Sequence, residues 1–167
     1  MVNHSISLEH PKPQTTTDNG PALLPAQILR NDADALAAAQ APAASARTYA
    51  ATRDQQRELP WQLIEQFTAS GLGSITVPRA FGGPDVSFVT LAEVFRLISA
   101  ADPALGQIPQ NHFGILQMLR GTATEAQQYA LFTAVLEGAR IGNGGPARGA
   151  RNTLEINTRI VPEGDGG

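Results

Sequence analysis

The feature that most limits the fold is the stretch Gly71 to His112, GLGSITVPRAFGGPDVSFVTLAEVFRLISAADPALGQIPQNH. Glycine and proline supply five of the twelve residues from Gly73 to Pro84, so no regular element can pass through that segment. Ile75, Val77 and Phe81 are apolar anchors within it, which predicts an ordered loop. A run from Phe88 to Ala101 comes next, in which Thr90, Glu93 and Arg96 form the only polar line. With Ser87 as its cap, this predicts a helix that has neighbours on several sides. Asp102-Pro103 then ends one helix and starts another, with Asp102 as cap and Pro103 at the first position. Leu105, Ile108, His112, Leu116 and Leu119 fall on one face of this second helix, and Pro109 is expected to bend it just before the histidine.

The flanking segments are helical in pattern. Residues 1–30 carry Pro11, Pro13, Pro21, Pro25 and a run of three threonines with few apolar residues, which reads as an extended or disordered arm. His4 and His10 lie in that arm without partners at ligand spacing. Asn31 or Asp32 can cap an alanine-dense helix from Ala33 toward Arg57, and Pro42 is expected to kink or restart it. Pro60 suits the first turn of a second helix, with Leu63, Ile64 and Phe67 inward and Gly71 at its end. Gly121 is expected to stop the histidine-bearing helix. Thr122 and Glu125 form a capping-box pattern for a last helix from Thr124 to about Gly138, with Tyr129, Phe132, Val135 and Leu136 inside. Beyond it, Arg140 to Arg151 is glycine-rich, and Asn152 to Val161 alternates as a strand does. The chain then ends in Pro162-Glu163-Gly164-Asp165-Gly166-Gly167, a turn with no second strand after it, and a lone strand is not stable alone. The expectation is a mainly α chain of five to six helices over 31–139, followed at 140–167 by the start of a truncated β domain.

Several functions lose support at once. Lys12 is the only lysine, the net charge is -3, and no basic patch suggests nucleic acid. With no cysteine there is no disulfide, thiolate metal site or cysteine nucleophile. No apolar run is long enough to span a membrane, and the start lacks the pattern of a secretory signal, so a cytoplasmic location is expected. Only 16% of residues are charged, against roughly 25% in typical soluble domains, which suggests a surface covered by more protein.

Two places can carry chemistry. His112 titrates near neutrality and has Gln110 and Asn111 beside it, which suits proton transfer; a histidine on an apolar helical face is also commonly a core residue with one hydrogen bond. In Gly142-Asn143-Gly144-Gly145-Pro146, small residues let backbone approach a flat ring or a phosphate, or simply connect helix to strand. Its fit to a dinucleotide-binding glycine pattern fails on context, because the order of strand and helix is reversed. No paired carboxylates, Walker loop or metal-ligand cluster can be placed.

Val77-Pro78 with Phe81-Gly82-Gly83, an apolar helix and Ala101-Asp102-Pro103 together resemble the N-terminal helical domain of the acyl-CoA dehydrogenase superfamily. The run from Ser99 to Phe113, with Pro109-Gln110-Asn111-His112-Phe113, and Ile141-Gly142-Asn143 is similar to its flavin-dependent monooxygenase branch. That branch contains the dibenzothiophene desulfurisation monooxygenases and sulfur-acquisition oxidoreductases. The resemblance spans about residues 31–161. It implies a helical domain, a middle β domain and a C-terminal four-helix bundle, with a flavin between the last two. It further implies reduced FMN from a separate reductase, a flavin hydroperoxide formed with O2, an organosulfur substrate, and a homo-oligomer. His112 would be proton donor or hydroperoxide stabiliser; Asn143 and the Gly144 backbone would contact the flavin edge. Acyl-CoA dehydrogenases carry Thr-Glu-Pro where this chain has Gly144-Gly145-Pro146, so the hydroxyl that contacts FAD there is absent. An FAD-dependent acyl-CoA dehydrogenase and a non-catalytic helical interaction module are the alternative readings.

Overall fold

A computed structural model describes residues 26–142, all of it helix and connecting turns. Six α-helices are present, in order: α1 Asp32–Gln56, α2 Trp61–Ala69, α3 Phe88–Ala101, α4 Pro103–Gln107, α5 Gln110–Thr122 and α6 Glu125–Leu136. Between α2 and α3 the chain makes two 3-10 turns, Leu72–Ser74 and Arg79–Phe81. The mainly helical architecture expected from the sequence is therefore present; the expected strand at 152–161 lies outside the described residues.

The core begins with α1 against α3. Asn31 caps α1 by accepting from the Asp34 N–H. Ala35, Ala39, Pro42, Ala43 and Ala46 form its buried stripe, so the helix presents a smooth face that lets α3 approach closely. Val94, Ile98 and Ala101 answer from α3. At one end, Ser87 caps α3 with its hydroxyl and donates its backbone N–H to Asp32 Oδ1 at 2.9 Å, fastening the starts of the two helices together. At the other, Asp102 accepts from Ala104 and Leu105 N–H groups through Oδ1, capping α4, while Oδ2 accepts from the Arg53 guanidinium of α1 at 2.6 Å. This ion pair is almost wholly buried, with side-chain exposures of 12% and 6%.

Several local expectations are corrected. Pro42 does not break α1: it sits on the buried face, and the non-helical backbone is at Tyr49 (φ -130°, ψ 20°). Arg53 reaches back to the Ala46 carbonyl and supplies a donor beside that irregular turn. Pro60 stands just outside α2 as its N-cap rather than within the first turn. Thr90 is buried and Phe88 and Val89 are exposed, because α3 is turned so that the cap and Asp32 hold Thr90 inward. α5 runs past Gly121 to Thr122, and the capping box uses Thr124 and Gln127, two residues later than the Thr122–Glu125 pattern. Tyr129 points outward on α6, and Ile108 is half exposed.

The glycine-and-proline loop is ordered, as its anchors predict. Ile75 and Val77 are completely buried, and Phe81 packs on Phe132 of α6 with ring centroids 5.0 Å apart. Asp85 and Val86 N–H groups donate to the Val77 and Ile75 carbonyls at 3.0 and 2.9 Å, drawing the two arms of the loop together. That closeness requires glycine at 83, where a Cβ would stand 2.1 Å from the Val77 carbonyl oxygen. The α4 helix folds back on α3 for a similar reason: a Cβ on Gly106 would meet Ser99 Oγ at 2.1 Å.

Candidate functional site

The loop, the α4–α5 junction and the end of α6 converge on a small cavity of about 50 Å³. Phe67, Pro109, Val135 and Ile141 give it an apolar lining, and His112 is its buried titratable group. Asp102-Pro103 starts α4, Pro109 separates α4 from α5, and His112 is thereby placed in the first turn of α5, turned inward beside Phe113. The histidine is 4% exposed.

Both imidazole nitrogens are engaged by main chain. His112 Nε2 lies 2.7 Å from the Gly73 carbonyl oxygen, and the Ile141 N–H points to Nδ1 at 3.1 Å. A carbonyl can only accept and an amide N–H can only donate. The partners therefore assign one tautomer: Nε2 carries the proton and Nδ1 the lone pair. Burial pushes the imidazole below its usual pKa, and the Gly73 carbonyl opposes that shift. The neutral ring is thus the resting form.

Among the described residues, charge at the cavity lining comes from Arg140, which pairs with Glu65 at 2.9 Å and donates to the Thr68 hydroxyl at 3.3 Å. Among the described residues there is no group of three or more potential metal-ligating side chains. No described helix is long and apolar enough to cross a membrane. Among the described residues, Thr76 Oγ1, away from the cavity, is the buried side-chain oxygen without a hydrogen-bond partner.

The residues 27–139 match the family described as "Acyl-CoA dehydrogenase, N-terminal domain". The chain belongs to this family. Relatives named dibenzothiophene monooxygenase, from Rhodococcus erythropolis and Rhodococcus qingshengii, are 28% and 27% identical over 159 residues. Those matches cover 95% of this chain and 35% of each relative, so the chain spans about a third of their length. No solved structure matches it at a significant level.

Of the three residues singled out from this family's pattern, the structure places His112 at the cavity; Asn143 and Gly144 lie outside the described residues. Gly142, the last described residue, is exposed. A flavin does not fit within the cavity that the described residues form: its lining is apolar with a single neutral ring bearing an N–H, and 50 Å³ is far below the roughly 300–1,000 Å³ of a ligand pocket. The partners of His112 have no signature in the sequence, because Gly73 and Ile141 act through backbone atoms. The Arg53–Asp102 pair is equally hidden there: its residues are 49 apart, and the capping role already accounts for Asp102.

Proposed function

We propose that this chain is the N-terminal part of a flavin-dependent monooxygenase that takes reduced FMN from a separate reductase and oxygenates an organosulfur compound. The observation that carries the reading is the match along 95% of the chain to proteins named dibenzothiophene monooxygenase. In this reading 1–30 is an arm, 31–139 the helical domain and 140–167 the start of the middle β domain. The assembled protein is a cytoplasmic homo-oligomer.

When bound, the reduced flavin would supply two electrons to O2, so that one oxygen atom reaches sulfur and the other leaves as water. The chain's own part is narrower. Phe67, Pro109, Val135 and Ile141 keep the surroundings of His112 apolar. His112 is the proposed catalytic group: its neutral ring would donate a hydrogen bond from Nε2 to an oxygen that displaces the Gly73 carbonyl and so stabilise it. Asn143 and Gly144, close in sequence to Ile141, are the proposed contacts to the flavin edge.

The test is turnover by the full-length protein given FMN, a flavin reductase, O2 and dibenzothiophene. Sulfoxide or sulfone formation is expected. The family itself favours one alternative, an FAD-dependent acyl-CoA dehydrogenase. Bleaching of bound flavin by an acyl-CoA, without any oxygenated sulfur product, would establish that alternative instead.

A further inference from the structure

The position of Ile141 gives His112 a task that does not depend on flavin. Its N–H is the first main-chain donor after α6 to reach another element, and its acceptor is the imidazole lone pair. The opposite side of the same ring holds the Gly73 carbonyl, in the turn that buries Leu72 and Ser74. One neutral side chain therefore joins the exit of α6 to the loop between α2 and α3. We propose that His112 is a proton-operated latch: its neutral Nε2–H form pins Ile141 to the Gly73 turn, and a second proton at Nδ1 releases Ile141.

The chemistry is simple. A proton taken from solvent acid adds to the Nδ1 lone pair, and the ring becomes an imidazolium with donors on both nitrogens. The Gly73 contact survives, because Nε2–H still donates to it. The Ile141 contact cannot, because two N–H groups then face each other. The surroundings favour the neutral form over the charged one. α2 brings Ile64, Phe67 and Thr68 to the cavity, the turn brings Gly73 and Ser74, the α4–α5 junction brings Ile108 and Pro109, and α6 brings Val135. None of these is a carboxylate. Among the described residues the one charged lining residue is Arg140, whose guanidinium already has Glu65 as its partner, so no described anion in the lining compensates an imidazolium. Desolvation pushes the ring in the same direction.

Release would free the chain where it leaves α6, at Ile141 and Gly142, so the latch is a positioning device for that exit. It stands on the chain alone, so its failure would leave the monooxygenase reading untouched.

The experiment uses the 167-residue chain with ring nitrogens followed by 15N NMR and amide protection by hydrogen exchange, corrected for intrinsic rates. At neutral pH Nδ1 is expected to be pyridine-like and Nε2 pyrrole-like. As pH falls from about 6.5 toward the imidazole's depressed pKa, Ile141 protection should drop about tenfold per pH unit, and below that pKa it should be gone. Amides in the middle of α3, such as Ile98, should keep theirs. His112→Gln retains one donor and one acceptor, so it should keep Ile141 protected with no such pH dependence; His112→Phe should lose the protection at all pH values. A proton on Nδ1 at neutral pH overturns the proposal. So does Ile141 protection that stays constant while the ring titrates, or that vanishes only together with Ile98. If the Phe variant fails to fold, the wild-type tautomer and the Gln variant still decide.

Discussion

At residue scale the most consequential side chain outside the cavity is Asp102. Its two oxygens have separate duties: Oδ1 caps α4, and Oδ2 pairs with Arg53. Asp102→Asn keeps the cap acceptor and removes the charge. It leaves Arg53 buried without a counter-ion, so a loss of about 3–5 kcal/mol is expected in urea unfolding. Asp102→Ala should cost about 1 kcal/mol more, for the cap. Adding Arg53→Met to Asp102→Asn should recover much of the loss, since no buried charge remains. His112 makes a second residue-scale prediction. Its pKa is depressed in the folded chain from an unfolded value near 6.5, so the unfolded chain binds the extra proton first as pH falls. Its stabilising contribution is complete above about pH 6.5 and declines below it. Thermal unfolding followed across that range should show the decline, and His112→Gln should flatten it.

At element scale two of the close glycine contacts, at Gly83 and Gly106, differ in what they meet. Gly83 faces the Val77 carbonyl, which cannot move without opening the loop, whereas Gly106 faces the hydroxyl end of Ser99. Gly83→Ala is therefore expected to cost more than Gly106→Ala, with both in the range of about 1–3 kcal/mol, measured by denaturant midpoints. Much at this scale is legible in the sequence. Ser87, Asp102-Pro103 and the Phe88–Ala101 span are where local pattern puts them, because caps and proline act within a turn. Pro42 departs from its local pattern for the opposite reason: packing against α3 keeps α1 continuous through it, and tertiary contact outweighs a missing hydrogen bond. Thr122–Glu125 satisfies the same capping rule as Thr124–Gln127, and only the structure separates two overlapping matches. Rotation of α3 about its axis is a further case. Its apolar residues surround it, so the pattern cannot show that Phe88 faces outward and Thr90 inward.

For the whole molecule, the described helices offer a face rather than an enclosure. The 167-residue chain is expected to show no tight FMN binding in a fluorescence titration, because a cavity of about 50 Å³ admits no isoalloxazine. Tight binding would mean that residues outside 26–142 complete a pocket. That His112 is turned inward is legible from its place among apolar residues; that main chain occupies both of its nitrogens is not, since backbone partners leave no trace in residue type.

The last helix has a distinct standing. While α1 lies directly along α3, α6 rests chiefly on the irregular turns at Leu72–Ser74 and Arg79–Phe81, with Phe132 seated on Phe81. Its moorings are thus the parts of the chain with the shortest hydrogen-bonded ladders. On gentle warming α6 should come adrift before the slab formed by α1 and α3, exposing Phe132 and Val135 while that slab stays intact.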